Sequence, residues 1–212
     1  MKVAVLGTGA VGQAMNSRLS ELGHDVRVGT RDVQGTKDRG GPDAALPLAT
    51  FAEAAAHGEL IINATSGNVS LAVLNLAGAD NLAGKVLIDI SNPLDFSAGF
   101  PPTLSVKDTD SVGEQIQAAF PDARVVKSLN TMTAEIMVHP ADLGDGVHAV
   151  FVSGNDAAAK QIVTELLQEF GHVQIIDLGD ISTARGPEMY LPLWLRLMGA
   201  LGTPMFNVKI VK

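Results

Sequence analysis

The chain has 212 residues, enough for one large domain or a nucleotide-binding core with a small appendage. A formal charge of −8 speaks against nucleic acid as a partner, because phosphate neutralisation needs concentrated Lys and Arg. The absence of cysteine excludes a disulfide framework, a thiolate metal site and a cysteine nucleophile.

Lys2–Leu6 reads as a strand running into glycines, and Ala10–Leu22 as a helix with Val11, Met15 and Leu19 at helical spacing and Gly23 as its stop. Asp25–Gly29 is a second strand. Thr30 to Pro47, rich in Gly, Asp and Lys, reads as a mobile loop. Leu48 opens a short third strand, Phe51–His57 a brief helix, Glu59–Ala64 a fourth strand, Ser70–Leu76 a helix and Val86–Ile90 a fifth strand. Asp95 to Asp110 is a long connection rich in Pro, Ser and Gly. The helix Val112–Phe120 and the strand Arg124–Leu129 complete an alternation that gives parallel βαβ units.

Beyond these, Val147–Val152 is a strand. Asp156 caps a helix ending at Gly171, with Ile162, Val163, Leu166, Leu167 and Phe170 on one face. Val173–Ile176 is a strand, and Ser182–Leu201 an apolar helical stretch interrupted at Gly186-Pro187 and at Pro192. Phe206–Val211 reads as a closing strand on a sheet edge, here or in a second subunit. The fold class is therefore α/β: a Rossmann-type doubly wound, mainly parallel sheet with a small C-terminal α/β extension. Two parts are expected, a nucleotide-binding core over residues 1–123 and a smaller part over 124–212. The N-terminus enters a strand directly, and Tyr190–Leu201 is too short to span a membrane and carries Arg196, so a cytoplasmic protein without membrane contact is expected.

The sharpest motif is Gly7-Thr8-Gly9-Ala10-Val11-Gly12, a G-x-G-x-x-G that follows a strand and opens a helix. Its glycines allow a tight turn, approach of a pyrophosphate to the backbone, and close helix–strand packing. The helix start offers unpaired N–H groups to phosphate. At the end of the second strand an NAD enzyme would place a carboxylate for the ribose hydroxyls. Here Val28-Gly29-Thr30-Arg31 stands instead. Thr30 and Arg31 suit a 2′-phosphate, and Lys37 adds a further charge, so NADP is expected over NAD. Asp32 is expected to point away from that phosphate. Thr65 and Ser66 follow the fourth strand, and Asn92 and Pro93 the fifth. They are candidates for the ribose and nicotinamide, with a hydrogen-bonded turn as the equal alternative.

Together the glycine loop, Gly23–Arg31, Ile88–Leu94, Val125–Met132 and the Ser182–Met198 stretch resemble the NADP-dependent oxidoreductases of the deazaflavin coenzyme F420. That fold is shared with the cytosolic domain of the six-transmembrane ferric reductases. The resemblance implies hydride transfer between NADP(H) and a small-molecule redox acceptor, the deazaflavin or a flavin. The extra phosphate of NADP(H) would then be held by Thr30 and Arg31. It puts the acceptor beside Asn130, Thr131 and Met132 and the C-terminal segment, where Trp194, Tyr190 and Met205 are candidate wall residues, and it implies a homodimer. Archaeal members tend to carry His where this chain has Asn130.

Hydride transfer between stacked rings needs alignment and a dry pocket more than an acid or base. In keeping with that, no catalytic or metal-binding constellation stands out. His24, His139, His148 and His172 flank strands or turns and read as structural. Lys127 is similar to the catalytic lysine of β-hydroxyacid dehydrogenases, but its place inside a strand suits a buried stem or surface charge. A flavin or ferric reductase and a non-enzymatic NADP(H)-binding protein remain open beside the deazaflavin reading. An imine or pyrroline-5-carboxylate reductase shares the N-terminal half but would be expected to continue into a large helical dimerisation domain, for which 212 residues are too few.

Overall fold

The computed structural model describes residues 1–212. The aliphatic runs form strands buried on both faces, as parallel sheets covered by helices require. In chain order the elements are β1 (Lys2–Leu6), α1 (Ala10–Glu21), β2 (Asp25–Thr30), α2 (Val33–Arg39), β3 (Leu48–Thr50), α3 (Phe51–His57), β4 (Leu60–Asn63), α4 (Gly67–Ala77), α5 (Ala79–Leu82) and β5 (Val86–Asp89). A small hairpin follows, β6 (Leu94–Asp95) and β7 (Thr103–Leu104), and then α6 (Val112–Ala119), β8 (Arg124–Ser128) and α7 (Ala134–Val138). The chain closes with β9 (Ala149–Gly154), α8 (Ala157–Phe170), β10 (Gln174–Gly179), α9 (Arg185–Met189) and α10 (Leu191–Leu201).

Eight strands form one sheet in the order β10-β9-β8-β5-β4-β1-β2-β3. Strand direction alternates side chains between two cores: Val3 and Val5 pack with Met15 and Leu19 on one face, Ala4 and Leu6 with Phe51 and Ala54 on the other. From β1 the chain winds outward one way through β2 and β3 and the other way through β4, β5 and β8. The crevice beyond the carboxyl ends of β1 and β4 is thus the switch point where such sheets bind ligands. The only antiparallel joint in this sheet is β8–β9. Residues 129–148 stay at the carboxyl end of β8, so β9 starts there and runs back.

Several segments depart from the sequence reading, among them the long connection from Asp95, where Leu94–Asp95 and Thr103–Leu104 pair as the β6–β7 hairpin. Thr30 to Pro47 is not a plain loop: Asp32 caps α2 by accepting from Gly35 N (2.9 Å), Thr36 is buried beneath that helix, and a 3-10 turn covers Pro42–Ala45. Gly186-Pro187 does not interrupt its helix. Pro187 lies in the first turn of α9, where a missing N–H costs nothing, and only Tyr190 separates α9 from α10. Phe206–Val211 is not a strand. Ala149 N donates to Val208 O (2.8 Å), whereas Ile210 is held at both N and O by the side-chain amide of Gln174 (2.9 and 2.8 Å). A side chain thus replaces the main-chain ladder. No helix is long and apolar enough to cross a membrane.

Candidate functional site

The turn from β1 into α1 forms one end of the site. Gly7 has a φ of +118° and Gly12 lies so close to it that a Cβ would sit 2.0 Å from Gly7 O, so both are glycine for the sake of the fold. Gly9 is different. Its φ of −70° and ψ of −177° suit any residue, and a Cβ there would meet nothing within 4 Å. Internal packing does not ask for glycine at this position. Helix α1 has no side-chain cap and no acid in its first turn, so its leading N–H groups face that space uncontested. These residues fit a dinucleotide diphosphate.

At the far end of β2, Thr30 is buried with its hydroxyl 3.1 Å from that of Thr36. Thr36 donates to Asp32 O (2.7 Å) and accepts from Arg39 Nη2 (3.3 Å), so Thr30 is the donor in the hydroxyl pair. The Asp32 carboxylate is turned into α2, where it caps the helix. Arg31 and Lys37 are exposed and carry no ion pair. Thr36 and Arg39 were missed from sequence because they lie on a helix read as loop; the Asp32 cap was the signal that could have revealed it.

Between these ends and the C-terminal helices lies a cleft of about 450 Å³. Of the residues singled out from sequence, Ala10, Val11, Thr65, Ser66, Asn92, Asn130, Met132 and Trp194 line it together. Pro93 and Thr131 are buried behind the wall, and Met205 stands on the exposed tail outside it. Sequence reasoning missed Phe96 at its rim, Met137 of α7 and Leu191 of α10. None of the lining residues is ionisable, and most are apolar.

The floor is fixed by a reciprocal amide pair: Asn130 Nδ2 donates to Asn92 Oδ1 and Asn92 Nδ2 donates to Asn130 O, both at 2.9 Å. Leu129, which delivers Asn130, has a φ of +64°, a conformation costing a bulky residue about 1–2 kcal/mol. On the roof, Trp194 stacks on Phe206 with ring centroids 5.3 Å apart. Tyr190 does not line the cleft, and burial pushes its phenol pKa up.

Beneath the floor is a buried charge cluster. The Lys127 ammonium lies 2.7 Å from Asp89 Oδ2 and 2.8 Å from Glu188 Oε1, with all three side chains at most 1% exposed. It also donates to Ser91 O. Burial alone would lower the lysine pKa, but the charges and hydrogen bonds of Asp89 and Glu188 outweigh it and hold the ammonium above its ordinary range. Lys127 does not reach the cleft, so it is a buried ion and not a surface charge.

The sheet order, the glycine turn and the cation-bearing end of β2 agree with what this chain is similar to. Residues 2–93 match the family model described as NADP oxidoreductase coenzyme F420-dependent. A crystal structure from Arthrobacter sp. FB24, described provisionally as an F420-dependent NADP-reductase, is 58% identical over all of both chains, with a TM-score of 0.98. The F420-dependent NADP reductase of Methanocaldococcus jannaschii is 26% identical over 93% of this chain and 92% of its own. The metalloreductase STEAP3 of Rattus norvegicus is 31% identical over 91% of this chain, which spans only 38% of the rat protein. The chain thus belongs to the NADP oxidoreductase family described as coenzyme F420-dependent, and it is an NADP-dependent oxidoreductase of the Rossmann type.

Proposed function

We propose that the protein passes hydride between NADP(H) and the ring of a deazaflavin, coenzyme F420, held in the cleft under Trp194. The observation that carries this reading is the cleft itself: it adjoins the glycine turn, is largely apolar and has no ionisable lining residue. Such a wall can align two flat rings and keep water out, but it cannot supply an acid or a base. The nicotinamide, when bound, supplies or receives the hydride. The chain would hold the diphosphate on the backbone from Gly7 to Gly12, the 2′-phosphate with Arg31, Lys37 and the Thr30 hydroxyl turned from Thr36 toward it, and the ribose and nicotinamide edge with Thr65, Ser66 and Asn92. Asn130 and Met132 would border the acceptor from below and Trp194 from above. The amide pair at Asn92 and Asn130 would keep the two halves of the floor in register.

A flavin or ferric chelate is the second reading, favoured by the rat relative named a metalloreductase. Stopped-flow mixing with NADPH discriminates them. Bleaching of the deazaflavin absorbance supports the first reading; turnover only with FMN, FAD or ferric citrate supports the second; tight NADPH binding without any turnover overturns both and leaves a binding protein. The proposal includes a homodimer, supported by the exposed apolar residues Leu193, Leu201 and Met205 of the C-terminal segment. Light scattering should give twice the chain mass, and a monomer at all concentrations would overturn it.

A further inference from the structure

A Rossmann sheet has no need of a charge in its interior, and a buried ion is costly unless fully paired. Lys127 is nevertheless wholly enclosed near the carboxyl end of β8, one layer below the cleft floor. Its partners belong to different parts of the site. Asp89 ends β5 and accepts from Ser91 N (3.2 Å), Ser91 Oγ (2.7 Å) and Asn63 Nδ2 (2.8 Å). Asn63 in turn accepts from the Thr65 hydroxyl (2.6 Å). These bonds define the floor, since Ser91, Asn92 and Thr65 line the cleft. Glu188 belongs to α9 and accepts from Val112 N (2.9 Å) and Gly113 N (3.1 Å) at the start of α6. Three residues later the same helical run brings Leu191, and then Trp194, over the cleft.

Lys127 is therefore the one charged link between floor and roof. We propose that Lys127, which does not itself line the cleft, is the positioning residue of the acceptor pocket, holding α9 and α10 at the height that admits a flat ring. The inference rests on the acceptor site proposed above. The glycine turn and Arg31, which would hold the phosphates, share no hydrogen bond with this cluster, and it reaches the dinucleotide side only through Asn63 and Thr65, so most of the dinucleotide affinity should survive its loss, whereas a displaced roof should weaken acceptor binding selectively.

The test uses Lys127→Met and the double variant Lys127→Met/Glu188→Gln in the full chain. Losing the lysine alone leaves two carboxylates unpaired in a dry interior, so that variant is expected to be unstable. The double variant removes one of those charges and should recover much of the melting temperature, but it does not rebuild the link. In both, NADP affinity by calorimetry should stay within about twofold of the parent. In both, the acceptor KM should rise about tenfold or more, as a small misplacement of a binding wall implies. Trp194 is the only tryptophan, so acrylamide quenching of its emission reads the roof without any acceptor, and it should increase in both variants.

Should the single variant not fold, the double variant decides. Recovery of quenching and acceptor KM together with stability would mean that the cluster is only structural and would overturn the proposal, as would a loss of NADP affinity equal to the loss of acceptor affinity. If the parent protein reduces no acceptor, the proposed function fails, and Trp194 quenching against NADP affinity still decides the role of Lys127.

Discussion

Replacing Gly9 by alanine separates what the glycine turn does for the fold from what it does for a ligand. The backbone at Gly9 is in an ordinary extended conformation and a Cβ would meet no atom within 4 Å. The folded protein should accept the methyl, and the stiffer unfolded chain should add about 0.5 kcal/mol of stability. A bound diphosphate would lose one or both of its close approaches to the turn. A hydrogen bond from a backbone N–H to a charged oxygen is worth about 1.5–3 kcal/mol, so a loss of about 2–3 kcal/mol is expected. That is roughly a thirty- to 150-fold weaker affinity for NADPH. Calorimetry reads the affinity and thermal denaturation the stability. Gly12→Ala is the contrast: its Cβ would sit 2.0 Å from Gly7 O, so overpacking should cost about 1–3 kcal/mol of stability. Normal NADPH affinity in Gly9→Ala, or a loss of stability matching that of Gly12→Ala, would refute the assignment of this turn as a diphosphate cradle.

Arg31→Glu should leave the melting temperature unchanged, because Arg31 is exposed and unpaired, while lowering NADPH affinity about ten- to hundredfold and NADH affinity little; an unchanged cofactor preference counts against the 2′-phosphate site. His172 is buried, donates from Nε2 to Met137 O (2.9 Å), and burial lowers its pKa to about 4. The unfolded chain takes up a proton near pH 6.5 and the folded one only near 4, so stability is full above that window and falls as pH drops through it. The loss should approach about 3 kcal/mol in urea titrations and vanish in His172→Gln, and an equal pH dependence in both proteins would contradict it. Asn130→Leu removes the donor to Asn92 and should lower kcat/KM for the acceptor about tenfold with NADPH affinity nearly intact; a parental kcat/KM would remove Asn130 from the acceptor site.

The parallel sheet was legible because its signals are local. Lys2–Leu6 and Val86–Asp89 are aliphatic runs closed by turn residues, and Asp156 and Gly171 bracket α8 with a cap and a left-handed stop that depend on a few neighbouring residues. Helix α2 was not legible, because its Gly, Asp and Lys content is that of a loop, and it forms because Asp32 caps it and Thr36 is buried against Thr30. The tail Phe206–Val211 has the composition of a strand. Whether such a run joins a ladder depends on what already occupies the sheet edge, and here the Gln174 side chain occupies it.

By itself the sequence determined the turn from β1 into α1, because glycine spacing, strand and helix start are contiguous in the chain and their chemistry is that of the backbone. Only the tertiary structure decided the cleft. Ser91, Asn130 and Trp194 come from segments far apart in sequence, and the charge beneath them became legible only when Asp89, Lys127 and Glu188 met in one dry interior. A lysine inside a strand has no evident role until folding removes water from around it, since the strength of its pairing depends on the dielectric that the rest of the chain creates.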